Sequence, residues 1–481
     1  MSYLGIDLGT SGLRALLTGA DGTPLASAER HYEVAHPQSG WSEQDPADWI
    51  AALEGAVDEL RAAPGWDALK GIGVAGHMHG AVALDASDAV IRPCILWNDS
   101  RSHIEAAALD ATPGAREISG NIVFAGFTAP KLLWMRTHEP GHFARIAKVL
   151  LPAAYLNLYL SGDHVADMSD SAGTSWFDTG ARDWSDTLLD LGGMSRAQMP
   201  RLVEGCARAG TLRRELASKW GVGNVAIAGG AGDNAAAAAG TGVLNEGQGF
   251  VSLGTSGVLL AARGGYAPSP QTAVHSFCHA VPDTWYQMGV MLSCTDSLNW
   301  LARITGTRPA ELTAPLGEHL AAPGRERFLP YLSGERTPHN DADIRGAFTG
   351  IGADTTRDDL TRAVLTGVSF GLRDSLEALK STGARPASLL AIGGGTGSRY
   401  WLRLLATVLD LPLHLPKAGE FGAALGAARL GRIAATGESP TEIMTPPLTG
   451  EVIEPVTGMT EALNAAYARF GPAYSGVKSI Q

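Results

Sequence analysis

Long hydrophobic runs are missing from this chain. No apolar stretch among its 481 residues approaches the roughly 20 that span a bilayer, so a membrane-embedded helix is not expected. The first residues enter a strand pattern directly, without a basic stretch or a short apolar core. That predicts no secretory leader and a cytoplasmic protein. Cysteine is scarce: Cys94, Cys206, Cys278 and Cys294 lie far apart with no CxxC spacing. A disulfide framework is thereby excluded, and buried free thiols in a reducing compartment are expected. Positive charge is also short, with 37 Lys and Arg against 49 Asp and Glu for a net −12 spread along the chain. That balance argues against nucleic acid or an anionic membrane as partner, while leaving room for a small anion in a local site. Low-complexity linkers and short-period repeats are absent too.

What is present is one string used twice. LGTSG occurs at Leu8–Gly12 and again at Leu253–Gly257, each time between two short apolar runs. Both copies read as strand, tight turn, strand. A Gly-rich turn with Thr and Ser hydroxyls offers several N–H groups and two hydroxyls to one small anion. No Gly-Lys-Ser/Thr follows and no helix starts after either turn, so neither a Walker loop nor a dinucleotide fingerprint is indicated. The copies differ at one telling place. Asp7 precedes the first turn, where Ser252 precedes the second.

A carboxylate at a strand end beside a phosphate turn can hold Mg²⁺, which keeps much of its water and takes few protein ligands, and Asp7 is placed for that. Asp233 closes the buried run NVAIAGGAGD, where burial would raise its proton affinity and suit it to accept a proton near neutrality. His77 and His79, in GHMHG, would share a face if the backbone were extended; His275 and Cys278–His279 form a second group that fits no zinc pattern. A hydrogen-bonding role is expected of the first group and a core or cleft role of the second. ILWNDSR offers Trp97 as a platform with Asn98, Asp99 and Arg101 beside it, which suits a sugar, though an Asp99–Arg101 ion pair competes. The run Gly393–Ser398 follows a buried strand and precedes a helix, as a site for adenine or an anion would.

Organisation follows from the repeat. Mixed strands and hairpins, a helix from about Pro46 to Ala63 capped by Asp45, a polar stretch at 167–183 expected as surface loop or cleft lining, and an Ala-rich helix after Asp233 make one α/β unit. A second unit restarts near Gly249. The boundary is expected near residue 245, dividing the chain into 1–245 and 246–481.

The strings GIDLGTSG, WSEQDP, GHMHG, ILWND, GFTAPKLLW, DMSDSAGT, GGAGDNAA, SLGTSGV, HSFCHA, FLPYLSGERTPHN and GGGTGSRYW together resemble the FGGY carbohydrate kinases over nearly the whole chain, most like those members that act on D-xylulose. The resemblance implies two actin-like (RNase H-like) domains with mixed sheets and an interdomain nucleotide and sugar cleft. It implies ATP-dependent phosphorylation of D-xylulose, with Mg²⁺ near Asp7 and Asp233 as the base. It further implies Met78, His79, Trp97, Asp99 and Asn234 around the sugar, and Gly9, Thr10, Ser11, Gly254, Thr255, Gly394, Gly395 and Ser398 around the nucleotide. A homodimer is common among such proteins. Thr366 stands where an acidic residue is usual. Another ketopentose or polyol as substrate, a catalytically silent sugar sensor, and an actin-like polymerising ATPase stay open as alternatives.

Overall fold

The structure, a computed structural model, describes residues 1–417 and 422–481. The first LGTSG is the turn of a hairpin. β1 (Ser2–Leu8) and β2 (Gly12–Gly19) pair antiparallel, with Asp7 opposite Arg14, and β3 (Pro24–His31) extends the meander. α1 (Pro46–Leu60) starts where expected, its first turn closed by the Asp45 carboxylate, which accepts from Ala47 N at 2.9 Å. It stops three residues earlier than the sequence suggested. β4 (Leu69–Gly76) runs parallel beside β1. α2 (Thr128–His138) and α3 (Pro152–Ser161) follow, the latter ended by Gly162 at φ 87°, a conformation open to glycine without strain. β5 (Arg208–Thr211), β6 (Ala226–Ala228) and β7 (Ala231–Gly232) complete a mixed sheet ordered β5-β6-β4-β1-β2-β3, with β7 beside β4. α4 (Asp233–Thr241) begins directly at the end of β7.

The second half repeats the plan. β8 (Gly249–Leu253) and β9 (Gly257–Arg263) flank the second LGTSG turn, and β10 (His275–Cys278) and β11 (Trp285–Met291) continue the antiparallel part. After α5 (Thr295–Ile304) and the long α6 (Arg357–Ser381), β12 (Leu389–Ile392) lies parallel to β8, as β4 does to β1. α7 (Arg399–Leu409), β13 (Leu413–Pro416), α8 (Gly422–Thr436) and β14 (Thr449–Ile453) follow. The sheet order is β10-β11-β9-β8-β12-β13-β14. The C-terminal amphipathic segment is two short helices, Thr460–Tyr467 and Phe470–Lys478. Thr366 sits on α6 at the edge of a 160 Å³ cavity shared with Glu326 and Arg362.

α8 is drawn from the second half yet packs on the first sheet. A Cβ at Gly5, Gly71 or Gly73 would overlap the carbonyl oxygens of Ala424, Gly431 and Ala427 respectively. Glycine at these strand positions is what lets a helix backbone approach so closely. α8 meets α4 in the same way: a Cβ at Gly426 would overlap the Ala236 carbonyl. Arg429 Nη1 donates to the Ala239 and Gly240 carbonyls at 2.8 and 3.0 Å, filling acceptors at the C-terminal end of α4.

Of the two readings of 167–183, surface loop or cleft lining, the surface loop does not hold for its first part, where residues 169–177 are buried. A short helix, Met168–Ser171, and the turn after it are buried between α4 and the sheet, so its polar side chains face inward. Replacing Gly426 with Ala forces one methyl group against backbone and should cost about 1–3 kcal/mol, read as a lowered urea midpoint at unchanged slope.

Candidate active site

Two carboxylates stand at the ends of β1 and β7, the strands on either side of β4. Asp7 lies one residue before the end of β1, and Asp233 is the first residue of α4, immediately after β7. Burial, then the charge of Asp233, pushes the Asp7 carboxyl up to about 7 against the opposing pull of Arg14. Burial raises Asp233 to about 6, opposed by hydrogen bonds from Asn234. Desolvation therefore outweighs both the helix N-terminus and two donors. Asn234 gives its backbone N–H (2.7 Å) and its side-chain amide (2.9 Å) to the same oxygen, Asp233 Oδ1, so Oδ2 keeps no hydrogen-bond partner among the described residues. Behind them lies a carboxyl that the sequence reading passed over. Asp170 is buried with neither oxygen hydrogen-bonded, and burial together with Asp167 and Asp233 holds its pKa well above the ordinary value. It was hidden in a polar string that reads as loop.

His79 carries the next feature. It is a non-glycine residue at φ 71°, so the extended backbone that would put His77 and His79 on one face does not exist. His77 turns into the core, edge-on to Trp49 at 5.4 Å, and no group of metal-ligating side chains forms among the described residues. The left-handed turn at His79 is held by its own carbonyl, which accepts from Lys131 Nζ at 2.7 Å and Thr128 Oγ1 at 3.1 Å. The ring stacks on Phe127 (4.4 Å, 15°), and Nδ1 lies 2.7 Å from the Gly173 carbonyl. A carbonyl only accepts, so Nδ1 carries the proton. Burial lowers the ring's pKa to about 3, leaving Nε2 a neutral acceptor. Met78 is buried against Gly232, and its sulfur accepts a 3.8 Å contact from the Tyr286 hydroxyl. Lys131 is itself fully buried, and desolvation lowers it to about 7. Lys131, Phe127 and Tyr286 lie in strings that gave no role when read alone.

The ILWND segment divides. Trp97 is 45% exposed, and its indole N–H donates to Thr10 Oγ1 at 3.0 Å, which ties it to the first turn. Asp99 takes the ion-pair alternative. Both its oxygens are buried and occupied, by Arg101 Nε (2.9 Å), Nη2 (2.6 Å) and backbone N (2.9 Å) and by Ser42 N (2.6 Å). Arg101 also lies 3.6 Å over the Trp41 ring and 2.6 Å from Glu43. With every lone-pair direction satisfied from behind, Asp99 supports the wall rather than opening into the site.

The two turns border different spaces. Gly9 and Ser11 line a groove of about 300 Å³ with Asp7 and Arg14. The first turn is braced by Tyr32 Oη to Gly9 O (2.6 Å) and Gln44 Nε2 to Thr10 O (2.6 Å). Gly254 and Thr255 line a cavity of about 570 Å³, together with Gly394, Gly395 and Ser398. Five residues singled out from the sequence thus meet around one space. Thr295 braces that turn, donating N–H (3.0 Å) and Oγ1 (2.8 Å) to Gly254 O, while the Ser398 hydroxyl caps α7 at Trp401 N. A side chain at Gly394 would meet nothing within 4 Å, so the cavity wall there is bare backbone.

Two mixed sheets of the same plan, each with a hydroxyl-rich hairpin turn, and a pair of half-buried carboxylates beside the first define the two-domain sugar-kinase fold of the actin-like class. The chain belongs to the FGGY family of carbohydrate kinases: the N-terminal domain model of that family matches residues 2–240 and its C-terminal domain model residues 249–435. The chain is accordingly an ATP-dependent sugar kinase. It is 46% identical over 440 residues to a xylulose kinase of Escherichia coli K12, covering 91% of this chain and 90% of that one. A crystal structure described as a xyloylose kinase from Brucella ovis superimposes with a TM-score of 0.99 at 55% identity, with full coverage of both chains. Xylulose kinase from Rhodospirillum rubrum gives 0.92 at 29% identity, covering 100% and 99%. Among the described residues, no helix is long and apolar enough to cross a membrane.

Replacing Lys131 with Met removes the shorter of the two donors to the His79 carbonyl. It should raise KM for the sugar about tenfold or more in steady-state assays and leave KM for ATP within about twofold.

Proposed function

We propose that this chain transfers the γ-phosphoryl group of ATP to O5 of D-xylulose, giving D-xylulose 5-phosphate. The observation that carries the mechanism is the state of Asp233: a carboxylate at a cleft wall with one oxygen fixed by Asn234, the other free, and its proton affinity raised to about 6. A base with that affinity is ionised at neutral pH and still able to take a proton as the hydroxyl attacks. Asp233 Oδ2 takes the proton of the 5-hydroxyl while that oxygen forms its bond to phosphorus, and the bond from phosphorus to the leaving ADP oxygen breaks. His79 Nε2 accepts from a sugar hydroxyl, and Met78 and Phe127 supply the apolar floor. In this reading the sugar and the first phosphate turn belong to residues 1–245. The second turn and the adenosine cavity of Gly254, Thr255, Gly394 and Gly395 belong to residues 246–481.

The relatives named xylulose kinase support the sugar assignment. A divalent cation fits the first turn. The charge of Asp233 raises the cost of ionising Asp7 and only Arg14 relieves it, so negative charge is in local excess. Among the described residues no three-ligand cluster exists, which suits Mg²⁺ held by one carboxylate, water and phosphate oxygens. Asp7 would hold it, and its contribution there is neutralisation of phosphate charge.

Initial rates with ATP and Mg²⁺ over D-xylulose, ribulose, xylitol and arabinitol test the assignment: D-xylulose should show the highest kcat/KM, and a higher value for any of the others overturns it. Asp233→Asn should lower kcat by about 10²–10⁴-fold. In the wild type, kcat/KM should fall about tenfold per unit below pH 6. The stability sign is opposite. A carboxyl whose folded pKa is raised stabilises the fold while protonated and loses that contribution as pH rises through about 6. At pH 8 the Asp233→Asn protein should therefore melt no lower than wild type; a lower melt would show that Asp233 holds the fold together.

A further inference from the structure

The second half of the chain sends one guanidinium into the aromatic wall around His79. Arg336 stands 4.5 Å over the ring of Phe124, which packs edge-on to Phe127, the ring under His79. Its backbone is fixed from both sides. Thr337 donates N–H to Val290 O at 3.0 Å and Oγ1 to Ala273 O at 2.9 Å. Glu335 accepts from Leu292 N at 3.1 Å and from Arg336 N at 2.8 Å. The guanidinium itself makes no hydrogen bond or ion pair with any described residue, and burial lowers its pKa. A half-buried cation whose side-chain donors no described residue takes, on an anchored backbone, is available to an acceptor from outside the chain.

Its position says which acceptor. Arg336 reaches His79 and His275 through Phe124 and Phe127, whereas Asp233 begins α4 and is bonded by Asn234. Arg336 therefore serves the end of the sugar site remote from the phosphoryl-accepting hydroxyl. For a pentulose phosphorylated at O5, that end carries the C2 carbonyl and the C1 hydroxyl. Resting on the substrate reading above, we propose that Arg336 is a specificity residue that donates to the C2 carbonyl oxygen and so selects a ketose over the corresponding polyol. A polyol places a hydroxyl there, whose proton needs an acceptor. Phe124 and Phe127 offer none, His275 Nε2 is sealed in the core, and His79 Nε2 is already taken by another sugar hydroxyl in the reading above. A site built to donate to a carbonyl penalises the analogue in which a polar group goes unpaired.

The test is steady-state kinetics with D-xylulose and xylitol on wild type, Arg336→Gln and Arg336→Lys, at saturating ATP. Arg336→Gln should raise KM for D-xylulose about 10- to 100-fold. KM for ATP and kcat/KM for xylitol should stay within about threefold of wild type, and Arg336→Lys should recover part of the loss. An unmoved KM for D-xylulose overturns the inference, as does an equal loss on both sugars, which would indicate a general role in closing the site. If Arg336→Gln does not fold, calorimetry on the wild type decides: D-xylulose must bind at least tenfold more tightly than xylitol, and equal affinities overturn the inference. A wild type inactive on every pentose defeats the substrate reading and this inference together. An active wild type with an unaffected variant defeats only the role of Arg336.

Discussion

The seating of α8 against the first sheet is the contact on which the site depends. A helix from the second half reaches β1 and β4 only because Gly5, Gly71 and Gly73 leave backbone bare, and it then holds α4 through Gly426 and Arg429. α4 carries Asp233 at its opposite end. The direction of that carboxylate is thus set by packing between backbones, where van der Waals contact is closest and least compressible. Specificity of placement comes from residues with no side chain, and charge from residues with nothing to neutralise them.

The site is costly to the fold. Asp7, Asp170 and Asp233 are each driven toward their protonated forms by burial, and the histidines and Lys131 toward their neutral ones. Each of these groups is less stable buried than in water, and the surrounding core makes up the difference. A chain selected for stability alone would not keep these carboxyls so far from water.

Most of the frame was legible in the sequence because hairpins announce themselves locally. Alternating apolar runs around LGTSG fix both turns, and the Asp45–Pro46 pair fixes the start of α1. Five residues expected around a nucleotide, up to 144 positions apart from Gly254 to Ser398, line one cavity. What was not legible depends on three-dimensional neighbours. The inward turn of 169–175 is invisible to polarity, since its hydroxyls and the Asp170 carboxyl are buried by neighbouring elements rather than by their own composition. Asp99 could be an ion-pair partner or a sugar ligand until Glu43, Trp41 and Ser42 are seen to close around it and Arg101. The left-handed turn of His79 needs Lys131 and Thr128, 52 and 49 residues away, to hold it.

Trp97 has a consequence of a different kind. The other tryptophans are buried or half-buried, while its indole is open to solvent and hydrogen-bonded to the hydroxyl of the first phosphate turn. Its emission should therefore be the part of the protein's fluorescence that a dissolved quencher reaches first. The molecule carries its own optical probe beside the first LGTSG turn, with no label needed.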